Sequence, residues 1–133
     1  MKRLLILLML VSQPVWAEWV PLGSASSGTD KAFTHYFDPE TVRKTPNGRR
    51  AWTMYDYKQP QPSRSGSYRS SRQADEFDCA GERSRFLQGS AFSGQMGAGS
   101  VVNYDNSPDV WELIAPGSVG ETQLQAICRV PLR

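Results

Sequence analysis

The sequence predicts an α+β fold: an antiparallel sheet of about six strands in meander order, with one C-terminal helix packed on a face and tied to it by a disulfide. Three observations support this prediction. Short β-type segments follow one another along the chain, separated by turns rich in glycine, proline and serine. The hydrophobic spacing changes to a helical period only near the C-terminus. The two cysteines fall on an apolar strand face and on the apolar helix face.

Residues 1–17 have the pattern of a secretory signal peptide. Lys2 and Arg3 form its positive start, the apolar run Leu4–Val11 follows, and cleavage is expected after Ala17. This run is too short to cross a bilayer core, which requires about 20 apolar residues. We therefore predict an exported protein without a membrane span.

The domain predicted at residues 18–133 carries no net charge. The whole chain has 15 basic and 13 acidic residues, and the +2 balance disappears with Lys2 and Arg3 of the signal peptide. Export and neutrality argue against nucleic acid as a partner. Since no cysteine precedes Cys79, a lipid anchor on an N-terminal cysteine is not expected. We expect a location in the periplasm, on the cell surface or in the medium.

The first half of the domain contains three predicted strands. Glu18–Leu22 is a short apolar segment, and Ala32–Asp38 has the aromatic composition of a strand that Pro39 should end. A turn is predicted at Thr45–Gly48, because an Asn-Gly pair tolerates the positive φ of a hairpin turn. Arg50–Lys58 then alternates regularly and is the clearest strand.

The second half begins with a proline- and serine-rich loop at 59–66, which should be exposed. Gly89 suggests a bulge inside a strand, and the glycine-rich segment Gly94–Gly99 should form a turn. Four strands are predicted in this half: Ser67–Cys79, Glu82–Phe92, Ser100–Tyr104 and Val110–Ile114.

The last predicted element is a helix. Ser118 and Glu121 form a capping box at its start, and Pro131 should end it. Three residues follow the helical spacing of a single apolar face: Leu124, Ile127 and Cys128.

Cys79 and Cys128 are expected to form a disulfide, because thiols oxidise outside the cytoplasm. The bridge would close a loop of about 50 residues and stabilise the domain by roughly 4 kcal/mol. An intermolecular bridge and two free thiols are the alternatives.

The sequence offers no catalytic constellation, and we predict neither an enzyme nor a bound metal or cofactor. His35 is the only histidine, and no Gly-x-Ser-x-Gly motif accompanies it, so an ordinary surface or packed histidine is expected. A lone histidine with two cysteines cannot form a tetrahedral zinc site without carboxylates. Gly94–Gly99 leads into a strand rather than a helix, which argues against a phosphate-binding loop.

Charge is distributed unevenly along the domain. Residues 43–85 contain ten basic and five acidic residues, whereas residues 86–128 contain four acidic residues and no basic one. Arginine suits carboxylate, sulfate and phosphate ligands and stacks on aromatic rings. Alternatively, these side chains form a solvated face that pairs with Asp75, Glu76 and Asp78. Six arginines are the candidate ligand-binding residues: Arg49, Arg50, Arg69, Arg72, Arg83 and Arg85.

Taken together, the motifs of the domain resemble the surface-adhesin protein E family of Gram-negative bacteria over roughly residues 18–129. Their order and spacing carry the resemblance. The matching residues are Trp19, Tyr36-Phe37-Asp38, Asp56-Tyr57, Ser70-Ser71, Phe77-Asp78-Cys79, Arg85, Phe92-Ser93-Gly94, Met96-Gly97-Ala98-Gly99, Trp111, Pro116-Gly117-Ser118 and Cys128.

The resemblance implies an antiparallel sheet with a disulfide-tied C-terminal helix. It also implies a surface protein that binds host proteins such as vitronectin, laminin and plasminogen, sometimes as a homodimer. The adhesin after which the family is named is a lipoprotein, and this sequence lacks the lipid-bearing cysteine. A soluble periplasmic module with a structural or inhibitory role is therefore the alternative to a surface adhesin.

Overall fold

The computed structural model describes residues 18–26 and 31–132. The signal peptide predicted for residues 1–17, with its cleavage at Ala17, lies outside the described residues. Within the described ranges, seven strands and one α-helix form the fold: β1 (Val20–Ala25), β2 (Phe33–Thr45), β3 (Gly48–Gln61), β4 (Tyr68–Asp78), β5 (Arg83–Phe92), β6 (Val101–Asp105), β7 (Glu112–Leu113) and α1 (Val119–Arg129).

All strands join one antiparallel sheet. Strands β1 to β6 lie side by side in chain order, as the predicted meander requires. The two-residue strand β7 pairs with the start of β5, and β6 pairs with the end of β5 on the same edge. The α+β fold class is confirmed, and α1 is too short and too polar to span a membrane.

Helix α1 packs across β1, β2 and β3. Ser118 caps its start as predicted, because Ser118 Oγ accepts the backbone N–H of Glu121 at 3.2 Å. The other half of the predicted capping box is replaced, since the Ser118 backbone N–H donates to the Ala115 carbonyl and not to Glu121. Leu124 and Ile127 point into the core of the domain. The sheet supplies the rest of this buried cluster: Phe37, Val42, Ala51 and Phe77.

The predicted disulfide is present within one chain. Cys79, directly after β4, is bonded to Cys128 of α1, with their Cα atoms 6.0 Å apart. Neither described cysteine is free. The bridge closes the loop between the centre of the sheet and the helix, and so anchors α1 on the core cluster.

Strand β2 differs from its predicted course. Pro39 does not end the strand, which continues to Thr45. Instead, the pairing with β3 is interrupted between Asp38 and Arg43, where four residues of β2 lie opposite the single residue Ala51. Pro39 is tolerated there because it lies in the interrupted stretch, outside the paired residues whose N–H groups the ladder needs.

Two smaller differences concern the hairpins. The β2–β3 turn is formed by residues 46–47, since Thr45 pairs with Gly48. A Cβ atom at Gly48 would collide with the carbonyl oxygen of Phe77, so the glycine is required by the close approach of β4.

The bulge predicted at Gly89 lies two residues earlier, at Leu87.

Candidate functional site

The sheet has two chemically different faces. Ala51 and Phe77 lie beneath α1, and neighbouring residues along a strand point to opposite sides. Trp52 and its cross-strand partner Ala74 therefore point away from the helix. We call this side the helix-free face.

The six candidate arginines do not form one patch, because they are divided between the two faces. Arg49 lies on the helix side, where its Nη1 donates to the carbonyls of Ile127 at 2.9 Å and Val130 at 2.5 Å, at the C-terminal end of α1. Arg69 also lies on the helix side, and its Nη2 donates to the Lys58 carbonyl at 2.8 Å. The other four point to the helix-free face: Arg50, Arg72, Arg83 and Arg85.

Arg83 and Arg85 are held in place by carboxylates and by an indole ring. Arg83 Nε lies 2.8 Å from Asp78 Oδ2, and Arg85 Nη2 lies 2.7 Å from Glu76 Oε1. Both guanidinium groups stack on Trp111, at 4.8 and 5.0 Å from its ring centroid. These contacts pin the segment before β7 to the sheet.

The pKa values of the two carboxylates reflect these contacts. The hydrogen bond from Arg83 lowers the pKa of Asp78. Burial opposes ionisation of Glu76, but hydrogen bonds, including the one from Arg85, lower its pKa overall. Arg83 and Arg85 are therefore occupied by ion pairs with acidic side chains of the domain, the alternative to ligand binding that the charge pattern left open.

Arg50 and Arg72 remain without a carboxylate partner among the described residues. Arg50 lies across the β2–β3 pair from Arg43. Arg72 stacks on Phe92, with its guanidinium carbon 5.0 Å from the ring centroid. Their guanidinium groups therefore have N–H donors available to a ligand.

Trp52 lies at the centre of a groove on this face, which we call the Trp52 groove. It consists of two pockets of about 240 and 230 Å³ that share Thr41 and Trp52. Arg43 and Arg50 line the first pocket. The second pocket is completed by Trp19, Asp38 and Arg72.

The bulge of β2 forms one wall of the groove and is fixed by hydrogen bonds. Thr41 Oγ1 accepts the backbone N–H of Trp52 at 3.0 Å and donates to the Asp38 carbonyl at 2.7 Å. The Asp38 carboxylate accepts the backbone N–H of Glu40 at 3.0 Å. The groove is therefore already shaped before a ligand arrives.

The helix side holds buried polar groups rather than a catalytic arrangement. His35 is 3% exposed and stacks on Tyr55, and burial lowers its pKa. Burial raises the pKa of Asp75 to about 6, while Gln73 and Thr53 donate hydrogen bonds to it. The described residues contain no cluster of three or more histidine, cysteine or acidic side chains that could hold a metal.

The glycine-rich segment forms the predicted turn and folds over the sheet. The backbone N–H of Met96 donates to Asp56 Oδ1, and that of Gly97 donates to Ser70 Oγ, each at 2.8 Å. The turn leads into β6, a strand, rather than into a helix.

Comparisons with known proteins agree with this architecture. Residues 19–129 match the family described as surface-adhesin protein E. No similar sequence was found among curated proteins.

Three solved structures of protein E from Haemophilus influenzae have a similar fold. The selenomethionine form has a TM-score of 0.56 and 17% identity, over 71% of this chain and 78% of that one. A second structure has a TM-score of 0.56 and 16% identity, over 71% of this chain and 76% of that one. Crystal form II has a TM-score of 0.54 and 18% identity, over 71% of this chain and 79% of that one.

Proposed function

The chain belongs to the surface-adhesin protein E family, and we propose that it is an exported binding module that holds acidic segments of host proteins, or polyanions, in the Trp52 groove. The proposed partners are those that the family implies, namely vitronectin, laminin and plasminogen. No catalytic role is proposed, because the single histidine is packed in the sheet.

One observation carries the proposal. Arg50 and Arg72 line the two pockets that share Trp52, and neither forms an ion pair with a described carboxylate. Glu76, which lies across β3–β4 from Arg50, is paired with Arg85. Arginine can bind a carboxylate or sulfate through two parallel hydrogen bonds. An exposed pair of this kind beside a ring is typical of a binding surface.

The test compares two variants with the same loss of charge. Arg50→Gln with Arg72→Gln removes two of the three cations that line the groove, and Arg43 remains. Lys58→Gln with Arg64→Gln removes two exposed cations outside it. Binding of the purified proteins to immobilised vitronectin, laminin, plasminogen and heparin is measured from about 50 to about 500 mM salt.

We expect saturable binding at low salt that weakens as salt rises. The groove variant should bind at least about tenfold more weakly, since each charge-assisted hydrogen bond contributes about 1.5–3 kcal/mol. The Lys58 and Arg64 variant should bind like the wild type. Absence of saturable binding at low salt, or an equal loss in both variants, would contradict the proposal.

The proposed location is the outer cell surface. Fractionation combined with protease treatment of intact cells tests it, since a surface protein is degraded and a periplasmic one is protected. Protein confined to the soluble periplasm would instead favour the structural or inhibitory module.

A further inference from the structure

We propose that the pocket between Trp19 and Trp52 binds a quaternary ammonium group that carries a phosphate, as in phosphocholine. The pocket is one end of the Trp52 groove, so the inference shares Arg72 with the proposed function but does not require adhesion. Its volume of about 230 Å³ lies below that of pockets for drug-sized ligands and suits a small polar group.

The two indoles stand on either side of a carboxylate. Val20 pairs with Phe37, so Trp19, one residue earlier, lies opposite Asp38. Asp38 in turn pairs with Trp52. Because neighbouring strands lie about 4.8 Å apart, the backbones of Trp19 and Trp52 are about 10 Å apart, with Asp38 on the strand between them. Aromatic walls around an acidic floor favour an organic cation.

The charges on this side of the pocket favour the same occupant. Asp38 is only 5% exposed, and among described residues its Oδ2 accepts no hydrogen bond. Burial raises the pKa of Asp38, and the nearby charges of Glu40 and Glu18 raise it further. A bound cation would relieve this repulsion between carboxylates.

A quaternary ammonium fits this pocket better than a lysine ammonium does. A lysine ammonium brings three N–H donors that all require acceptors. Asp38 lines the pocket, and its Oδ2 is the carboxylate oxygen that accepts no hydrogen bond from a described residue. A trimethylated ammonium needs no acceptors, and its charge is attracted to the indole rings of Trp19 and Trp52, which line the pocket.

Arg72 adds an anion site beside the cation site. It lines the same pocket, and its stacking on Phe92 leaves the guanidinium edge free. A guanidinium edge matches the geometry of a phosphate. The pocket therefore presents a negative floor and a positive rim, which complements a zwitterion with both charges on one short chain.

The test is titration of the purified protein with phosphocholine, choline and inorganic phosphate, followed by calorimetry and tryptophan fluorescence. Phosphocholine should bind saturably, and more tightly than choline or phosphate alone. Asp38→Asn preserves the acceptor for Glu40 and should weaken choline and phosphocholine binding about tenfold. Arg72→Gln should remove the advantage of phosphocholine over choline. Arg64→Gln, outside the pocket, should bind all three like the wild type.

Further arms separate the possible sources of the ligand. Binding to phosphatidylcholine vesicles would assign the pocket to a lipid headgroup, and binding only to soluble phosphocholine would assign it to a free or glycan-linked group. Preference for a trimethyllysine peptide would overturn the phosphate half of the proposal. Failure to bind phosphocholine up to about 10 mM, or binding that Asp38→Asn and Trp52→Phe both leave unchanged, would overturn all of it.

The outcome is independent of host-protein binding. Asp38→Asn removes a negative charge from the groove and should leave heparin and vitronectin binding equal or stronger, whereas Arg50→Gln should weaken that binding and leave choline binding intact. Failure of either proposal is therefore recognised separately.

Discussion

Replacing Asp75 by asparagine should stabilise the protein above pH 6 and have little effect at pH 4. The carboxylate is 5% exposed and lies on the helix side of the sheet. Its oxygens accept Gln73 Nε2 at 2.9 and 3.1 Å and Thr53 Oγ1 at 3.3 Å, and no described cation pairs with it. Burial raises the pKa of Asp75 from 3.8 to about 6.

The size and sign of the effect follow from proton linkage. Between pH 4 and 6 the folded protein holds a proton on Asp75 that the unfolded chain has released, so stability falls as pH rises through this window. A difference of about two pKa units corresponds to about 3 kcal/mol. The asparagine variant avoids this loss and keeps a carbonyl acceptor for Gln73.

Urea unfolding of the wild type and Asp75→Asn at several pH values measures the effect. The difference between the two free energies of unfolding cancels the titration of every other group. We expect it to rise from near zero at about pH 4 to between about 1 and 3 kcal/mol in favour of the variant at about pH 7.5. A variant that is less stable by the same amount at every pH would refute the reasoning.

Three further predictions concern the framework of the domain. Cys79→Ser with Cys128→Ser should lower the free energy of unfolding by about 2–5 kcal/mol, and peptide mapping without reduction should show the native bridge within one chain. Gly48→Ala should cost about 3 kcal/mol or more in thermal unfolding, because its Cβ has no room beside β4. Trp111→Leu should cost about 1–2 kcal/mol by urea unfolding and speed hydrogen exchange before β7, since two cation–π contacts are lost.

Local patterns in the sequence carried most of the fold. Alternation along the strands, the cap at Ser118 and the spacing of Leu124 and Ile127 depend on neighbouring residues, and each was predicted correctly. The disulfide was predictable because export and the two apolar faces both pointed to it.

The candidate site was less accessible from the sequence, because it depends on register. The step from Arg49 to Arg50, and the three-residue spacing of Arg69 and Arg72, already indicate opposite faces of a strand. Strand alternation alone therefore separates Arg49 and Arg69 from Arg50 and Arg72.

The walls of the groove left weaker signals. The bulge after Asp38 inserts extra residues into β2, and the alternation of side chains along a strand does not predict such an insertion. Pro39 by itself indicated only that the strand would end. The stacking of Trp111 on two arginines joins residues far apart in the chain, so no local pattern reports it.

The most direct test of the account is the affinity of immobilised vitronectin for the wild type, for Arg50→Gln with Arg72→Gln, and for Lys58→Gln with Arg64→Gln at one low salt concentration. If the Trp52 groove binds the partner, the groove variant alone should bind at least about tenfold more weakly. Equal affinity of all three proteins, or an equal loss in both variants, would contradict a binding role for the Trp52 groove.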